Sequence, residues 1–229
     1  MDNEASVIQA WKNNAKPWIE AVRNRGIRDK GVTSRDALVS TLEDHAPVEG
    51  RVLDVGCGEG WLAHELSNRG FSVTGVDSSE ELIEFAMKHR SGHFLVADQA
   101  NLAELELGRF NLIVCNFSLF GESTVSRFIA SVPGLLVHGG ALIIQTLHPS
   151  SIYRNGRIES GWQNGTWAGL PGDFGEPPPT FVRSLENWSV LFETAGLRLQ
   201  RLIEPPVREG SVASLIFVVS NGVSDDCAA

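Results

Sequence analysis

The alternation of short apolar runs with helix-length segments constrains this chain more than any other feature of its sequence. Five such runs, bounded mostly by glycine, occupy residues 51–55, 71–76, 93–97, 110–115 and 141–146. Near-continuous apolar runs of this length are typical of parallel strands that helices cover on both faces. The intervening segments are long enough for helices and carry cap signals, such as the capping box that starts at Ser78. The pattern therefore predicts an α/β fold with a doubly wound parallel sheet.

The first and last parts of the chain add helices and strands to this core. In residues 4–24 apolar side chains recur at steps of three and four, which predicts an amphipathic helix interrupted near Pro17. A second helix is expected over residues 33–45, and a later one over residues 184–195. Two further apolar runs follow closely enough to form an antiparallel pair of strands, residues 197–204 and 213–220.

Residues 147–183 lack this rhythm and are rich in proline, glycine and aromatic residues. A long irregular segment within a compact domain is usually functional, so this one is either a surface loop or, as we favour, a lid over an organic substrate. We expect a single domain over residues 1–229, with residues 1–46 as a helical cap and 147–183 as the lid or substrate insertion. Trp11 and Trp18 occur at helical spacing and are assigned to the core.

The charge balance excludes several classes of partner. The chain has 28 acidic against 19 basic residues, a net charge of −9 and no basic run. Binding to nucleic acid or to an anionic membrane surface needs a basic patch, so neither partner is expected.

No apolar stretch approaches the roughly 18 to 20 residues of a membrane-spanning helix, and the N-terminus lacks a signal-peptide pattern. The three cysteines include no C-x-x-C pair. We therefore expect no metal site and a cytoplasmic location.

The strongest functional signal is V-L-D-V-G-C-G-E-G at residues 52–60, where a strand runs into a glycine-rich turn and then a helix. Gly56 and Gly58 allow the backbone to approach a ligand closely and to adopt positive φ. Asp54, at the end of the strand, can orient the amides of the turn and attract a cationic ligand, whereas it would repel a phosphate. Trp61 stands where a dinucleotide-binding turn has its third glycine. The turn therefore suits a cationic nucleoside better than a pyrophosphate.

Acidic residues also follow the next two strands. Asp77 ends the second strand, 21 residues after Gly56, where a carboxylate can accept both hydroxyls of a ribose. Dinucleotide-binding folds share this feature, so it does not discriminate by itself. Asp98 follows the third strand in the sequence L-V-A-D, where it either contacts a ligand or caps the following turn.

The segment V-L-D-V-G-C-G-E-G, with Asp77 in G-V-D-S-S and Asp98 in L-V-A-D, resembles motif I and its companion motifs in class I S-adenosylmethionine-dependent methyltransferases. The resemblance extends from about Arg35 to Ser220. It implies a Rossmann-like, doubly wound sheet of seven strands in the order 3-2-1-4-5-7-6, with strand 7 antiparallel and an N-terminal helical cap. It also implies S-adenosylmethionine as the cofactor and S-adenosylhomocysteine as its product.

The same resemblance implies which residues hold the cofactor. Asp77 is expected at the ribose hydroxyls, Asp98 at the adenine amino edge and Arg35 at the carboxylate. Asn116 and Phe117, after the fourth strand, are expected near the sulfur. The complete predicted set consists of Arg35, Asp54, Gly56, Cys57, Gly58, Asp77, Ser78, Asp98, Gln99, Asn116 and Phe117.

The resemblance further implies methyl transfer to a small organic acceptor, with oxygen as the favoured atom, by a monomer or a homodimer. His148 directly follows the fifth strand and is the predicted general base, although a loop histidine is more often bonded to backbone. Residues 116–119 read N-F-S-L and lack the N/D-P-P-Y/F of methylases that act on base amines, which also argues against nucleic acid. Two alternatives stay open, namely a catalytically silent cofactor-binding domain and an NAD-dependent oxidoreductase.

Overall fold

The computed structural model describes residues 2–23, 34–47, 49–148, 159–205 and 214–221. Three helices precede the sheet: α1 (Asn3–Asn13), α2 (Ala15–Arg23) and α3 (Ser34–His45). The alternating part follows as β1 (Arg51–Val55), α4 (Trp61–Asn68), β2 (Ser72–Asp77), α5 (Glu80–His89), β3 (His93–Val96), a 3₁₀ helix (Gln99–Glu104), β4 (Phe110–Asn116), α6 (Ser123–Leu135) and β5 (Leu136–Leu147). The last elements are β6 (Gly161–Gln163), β7 (Thr180–Val182), α7 (Leu185–Thr194), β8 (Leu197–Ile203) and β9 (Ser214–Asn221).

Seven of these strands form one sheet in the order β3-β2-β1-β4-β5-β9-β8. The pairings among β3, β2, β1, β4 and β5 are parallel, whereas β9 runs antiparallel to both β5 and β8. The two short strands β6 and β7 form a separate antiparallel pair. When only the strands of the main sheet are counted, the order is 3-2-1-4-5-7-6 with the seventh strand antiparallel. The predicted fold class and topology are therefore confirmed.

Alternating side chains of the central strands pack on opposite faces of the sheet, as strand geometry requires. Leu53 of β1 and Ile113 of β4 belong to one buried cluster, which also contains Phe128 of α6, whereas Val52 of β1 belongs to the other, which contains Leu62 of α4. Helices therefore cover both faces, which explains why the strand sequences are almost continuously apolar.

Three local predictions need correction. The break in the N-terminal helical segment falls at Asn14 and not near Pro17, because Pro17 lies in the first turn of α2, where a helix needs no N–H donor. Helix α6 ends at Leu135, and β5 begins at Leu136 instead of 141, since Leu136 pairs with Phe110 across a register shift. The 3₁₀ helix and the β6–β7 pair were not expected from the sequence. The predicted start of α3 at residue 33 lies outside the described residues.

Candidate active site

A cavity of about 970 Å³ lies at the carboxyl ends of β3, β2, β1, β4 and β5, where ligands bind in sheets of this architecture. Every residue of the predicted cofactor-binding set lines it. Residues that the sequence analysis did not assign to a site also line it, among them Glu4, Trp11, Trp18, Glu59 and Gln145. The volume is at the upper end of the range of roughly 300–1,000 Å³ for ligand pockets. The cavity therefore has room for more than one small organic molecule.

The turn between β1 and α4 has the backbone that its glycines were predicted to permit. Gly56, Gly58 and Gly60 all have positive φ, at 70°, 57° and 81°. A Cβ on Gly56 would lie only 2.3 Å from the Cβ of Ser118. Position 56 must therefore be glycine for this turn to lie so close to the segment after β4. The hydroxyl of Ser118 donates to the carbonyl of Val55 at 2.6 Å and fixes the approach.

Asp77 holds this turn from the end of β2. Its Oδ2 accepts a hydrogen bond from the N–H of Gly58 at 3.0 Å, and its Oδ1 accepts one from the N–H of Ser79 at 2.9 Å. Burial raises the pKa of the Asp77 carboxyl, and the two N–H donors oppose that rise. A carboxylate oxygen offers more than one lone pair. Asp77 can therefore hold the turn and still accept hydrogen bonds from a ligand.

Asp54 is a buried acid at the end of β1 that lines the cavity. Its side chain is 1% exposed, and its Oδ2 has no hydrogen-bond partner among the described residues. Burial raises the pKa of Asp54 to about 8, and the nearby negative charges of Glu59 and Asp77 add to the rise. A cation placed beside these carboxyl groups would oppose all three effects, so the electrostatics of this end of the cavity favour a positively charged ligand.

Glu59 connects the turn to the N-terminal helices. It is fully buried, and its Oε2 accepts a hydrogen bond from the indole N–H of Trp18 in α2 at 3.1 Å. The guanidinium of Arg90 lies 3.8 Å from its Oε1. Burial raises the pKa of Glu59, and the Trp18 donor and the charge of Arg90 act against the rise. Trp18 therefore covers the turn directly, and its partly buried ring also packs against the buried cluster of Ala15, Ile19 and Leu82.

The two ends of the predicted cofactor site are built differently. Asp98 begins the 3₁₀ helix, where its Oδ1 accepts a hydrogen bond from the N–H of Ala100 at 2.8 Å, and both Asp98 and Gln99 line the cavity. Asp98 therefore caps the following turn, and it does so at the edge of the cavity.

Arg35 lies at the start of α3 with its guanidinium 3.9 Å from the centre of the Trp61 ring. The stacking holds the positive charge of Arg35 at the cavity, which both Arg35 and Trp61 line.

The segment after β4 contains backbone strain. Phe117 has a φ of 49°, which is rare for a residue with a side chain, and its N–H donates to the carbonyl of Gln145 at 2.9 Å. Such strain tends to occur at functional sites, where it re-aims a side chain. Phe117 and its neighbour Asn116 both line the cavity, and Oδ1 of Asn116 is buried without a hydrogen-bond partner among the described residues.

His148 is the predicted site residue that the structure does not bring to the cavity. Its Nε2 lies 3.1 Å from Oε1 of Glu204, just beyond the end of β8, and the residue is absent from the cavity wall. The role of general base therefore stays a prediction, and no contact with the cavity supports it.

Trp11 and Trp18 were expected in the core in preference to a contact with the substrate. Both are only partly buried and line the cavity, and Trp18 also packs against a buried cluster of α2 and α5. Helical spacing shows that two residues share a face but not what that face covers, so the sequence could not distinguish a core from a cavity wall. The lid over residues 147–183 stays a prediction. Its described residues are not among those that line the cavity, and the ring of Trp167 lies 5.3 Å from that of Trp11 in α1.

In the parts of the chain that the structure describes, no helix is both long and apolar enough to cross a membrane. The same residues include no group of three or more His, Cys, Asp or Glu side chains arranged to hold a metal ion.

Residues 52–140 match the model of a protein family described as "Methyltransferase domain". Among solved structures, a TehB-like S-adenosylmethionine-dependent methyltransferase from Corynebacterium glutamicum superimposes with a TM-score of 0.64, at 18% identity, over 91% of this chain and 98% of that one. Magnesium protoporphyrin IX methyltransferase from Synechocystis, with bound S-adenosylhomocysteine, gives a TM-score of 0.64 at 17% identity over 95% and 99% of the two chains. The chain therefore has the fold of these two methyltransferases, and its residues 52–140 are similar to the methyltransferase-domain family, in agreement with the resemblance of its glycine-rich turn.

More similar sequences cover less of the chain. The ubiquinone biosynthesis O-methyltransferase of Coxiella burnetii is 33% identical over 112 residues, which is 47% of this chain and 48% of that protein. A putative methyltransferase of Bacillus subtilis, YqeM, is 35% identical over 83 residues, 34% of this chain and 33% of that protein. The chain therefore spans about half or less of the length of these relatives.

Proposed function

We propose that this protein transfers a methyl group from S-adenosylmethionine to a small organic acceptor, at oxygen. The observation that carries the proposal is the wall of the cavity, where a turn of positive-φ glycines lies beside the buried carboxyl groups of Asp54, Glu59 and Asp77. The proposal draws on the relatives as well, since one of them is named an O-methyltransferase and a structural neighbour was solved with S-adenosylhomocysteine.

The chemistry of the wall fits this cofactor residue by residue. The molecule is a sulfonium cation with an α-ammonium, a carboxylate and an uncharged nucleoside, and the cavity offers a matching group for each. Asp54 would face the cationic end, Asp77 the ribose hydroxyls, Asp98 with Gln99 the adenine, and Arg35 the carboxylate, since all five residues line the cavity. Buried polar atoms that receive no hydrogen bond from the described residues occur on five residues that line the cavity: Trp11, Asp54, Glu59, Asn116 and Gln145. A polar ligand would satisfy such atoms.

The same wall argues against a dinucleotide. A pyrophosphate on this turn would lie against Asp54 and Asp77 and would be repelled by the charged form of either. Trp61 stands at the first position of α4, where dinucleotide folds use a small residue for close packing. An NAD-dependent oxidoreductase is therefore not favoured.

In this proposal the protein orients the cofactor and the acceptor and excludes water from the cavity. The bound cofactor supplies an already activated methyl group, so no covalent nucleophile is required of the protein. The turn after β1 and Asp77 fix the nucleoside, while α1, α2 and Phe117 enclose the cavity. Holding two reactants in near-attack geometry can lower a barrier by about 7–11 kcal/mol. A base is needed only for an acceptor that reacts as its anion, and His148 stays the predicted candidate for this base.

The cytoplasmic location and the monomer or homodimer state also stay predictions.

Calorimetric titration with S-adenosylhomocysteine and, separately, with NADH tests the proposal. We expect the first to bind and to raise the melting temperature, because a ligand at 100 times its Kd stabilises a protein by about 2.7 kcal/mol. Binding of NADH alone would refute it. Transfer of a labelled methyl group to a panel of phenols, alcohols and amines then separates an enzyme from a silent binding domain, which would bind the cofactor and methylate none of them.

A further inference from the structure

The carboxylate of Glu4 lies on the part of the cavity wall that α1 forms. Glu4 is only partly buried and lines the cavity together with Gly121 and Thr124. Its Oε2 leaves no room for a Cβ on Gly121, which places the carboxylate against the segment after β4. Three donors bind this carboxylate, the N–H groups of Glu122 and Ser123 and the hydroxyl of Thr124. A carboxylate has about four acceptor sites, so Glu4 can still accept a hydrogen bond from a ligand.

Two aromatic rings lie on the same part of the wall. Phe120 directly precedes the Gly121 that Glu4 contacts, and the ring of Trp11 stacks on that of Phe120 with centroids 5.5 Å apart. Glu4 and Trp11 are seven residues apart in α1, which is about two turns, so they share a face of this helix. Glu4, Trp11 and Phe120 all line the cavity. Aromatic rings and carboxylates both attract cations, so this part of the wall suits an ammonium group.

The charge of the cavity wall as a whole has the same sign. Its described residues include six acidic side chains and one basic side chain, namely Arg35 against Glu4, Asp36, Asp54, Glu59, Asp77 and Asp98. The guanidinium of Arg183 donates to the carbonyl oxygens of Gly121 and Glu122, yet Arg183 is not among the residues that line the cavity. It therefore offsets the charge of Glu4 only from behind the wall. None of the proposed cofactor contacts is on α1, so the charge of Glu4 is left to attract a positive group on the acceptor.

We infer that Glu4 selects an amino alcohol as the acceptor, with the ammonium group of this molecule against Glu4, Trp11 and Phe120 and its hydroxyl as the atom that is methylated. This inference rests on the proposed function and makes its substrate class specific. A carboxylate beside an amine favours the protonated amine. A protonated nitrogen has no lone pair with which to attack a methyl group. The contact that holds the amine therefore leaves the hydroxyl oxygen as the nucleophile.

The test uses the protein saturated with S-adenosylhomocysteine at neutral pH, so that a cation cannot occupy the proposed cofactor site. Three probes share a cyclohexanol ring and differ in charge. They are trans-4-aminocyclohexanol, a cation, trans-4-methylcyclohexanol, which is neutral, and trans-4-hydroxycyclohexanecarboxylate, an anion. We expect calorimetry to show the cation binding at least about fivefold more tightly than the neutral probe, as a partly exposed carboxylate and aromatic rings together attract it. The anion should bind more weakly than both.

Three variants locate the origin of this preference. Glu4→Gln removes the charge and keeps the shape, so it should reduce the preference for the cation over the neutral probe to less than about twofold. Trp11→Leu keeps the wall apolar and removes a ring, so it should lower the preference as well. Glu122→Gln is the matched control, because it removes the same charge from an exposed side chain that does not line the cavity. This control should preserve the preference.

The remaining outcomes all count against the inference or against the function on which it rests. Equal binding of the cation and the neutral probe to the wild type, or binding of none of the three, overturns the inference even if Glu4→Gln does not fold. Tightest binding of the anion overturns it too. A preference that Glu4→Gln retains, or that Glu122→Gln loses, would mean that the selecting charge is not that of Glu4. Failure of the wild type to bind S-adenosylhomocysteine would instead refute the proposed function itself.

Discussion

The N–H of Gly58 donates a hydrogen bond to Oδ2 of Asp77 across 3.0 Å, which ties the glycine-rich turn after β1 to the end of β2. The other oxygen of this carboxylate is bound by the N–H of Ser79. One side chain therefore sets the conformation of the turn and presents its remaining lone pairs to the cavity. The two functions are coupled, so any change at Asp77 should affect the turn and the ligand together.

Asp77→Ala should weaken S-adenosylhomocysteine binding by about 10-fold to 150-fold. Hydrogen bonds to a charged group contribute about 1.5–3 kcal/mol each, and the variant removes those to the ribose as well as the support of Gly58. Isothermal titration calorimetry measures the change. Asp44→Ala, on the exposed side of α3, is the matched control and should bind like the wild type. An Asp77→Ala protein with unaltered affinity would contradict the placement of the ribose.

Gly56→Ala should destabilise the protein more than Gly70→Ala. Both glycines have positive φ, at 70° and 93°, so both substitutions introduce backbone strain. Only at position 56 would the new Cβ also collide with Ser118, at 2.3 Å, whereas at position 70 nothing lies within 4 Å. We expect a difference of about 1–3 kcal/mol in the free energy of unfolding, which is typical of overpacking. Urea denaturation measures it, and equal losses would mean that the close approach to Ser118 contributes nothing.

Binding of S-adenosylmethionine should tighten as the pH rises towards and through about 8. Burial, together with the charges of Glu59 and Asp77, raises the pKa of Asp54 to about 8, so Asp54 is largely protonated at neutral pH in the ligand-free protein. A sulfonium favours the ionised carboxylate, and binding should therefore release a proton. Calorimetry in buffers of different ionisation enthalpy counts that proton. Asp54→Asn should remove both the proton release and the pH dependence, and S-adenosylhomocysteine, which has no sulfonium charge, should show less of each.

The stability of the ligand-free protein should change with pH in the opposite direction. Because the pKa of Asp54 in the folded state is above its unfolded value of about 3.9, the folded state holds this proton more tightly. The resulting stabilisation is complete below about pH 4 and is lost as the pH rises through about 8. Melting temperatures of the wild type should therefore fall across this range relative to those of Asp54→Asn. Parallel profiles for the two proteins would show that Asp54 ionises normally.

The sequence predicted the parts of this molecule that depend on local chemistry. The apolar runs predicted a doubly wound parallel sheet, because strand length and apolar pattern are local properties, and the resemblance to motif I implied the strand order and the residues at the edge of the cavity. The contributions of Glu4, Trp18 and Gln145 were not predictable, because each depends on a contact with a residue far away in the sequence. His148, whose role as general base stays a prediction, shows how little a strand end says about the direction of the side chain that follows it. It follows a strand whose end reaches the cavity, yet its side chain contacts Glu204.

Glu4 makes the most distant of these contacts and joins α1 to the start of α6. Its Oε1 accepts hydrogen bonds from the N–H groups of Glu122 and Ser123 at 2.8 and 2.6 Å, and its Oε2 accepts one from the hydroxyl of Thr124 at 2.7 Å. Partial burial favours the neutral acid, but these donors outweigh it and lower the pKa of Glu4. A carboxylate at a helix N-terminus also interacts favourably with the helix dipole. The contact fastens the helix that carries Val7, Ile8 and Trp11 over the cavity.

Glu4→Gln should lower the free energy of unfolding by about 0.5–2 kcal/mol, the range for loss of a helix N-cap. Because the folded pKa of Glu4 is depressed, its stabilisation is present above the unfolded pKa and is lost as the pH falls through the folded value. The difference between the wild type and Glu4→Gln should therefore be largest at neutral pH and disappear in acid. Glu20→Gln, on the exposed face of α2, is the control and should give no such difference. A difference that persists in acid would mean that Glu4 acts through its shape and not through its charge.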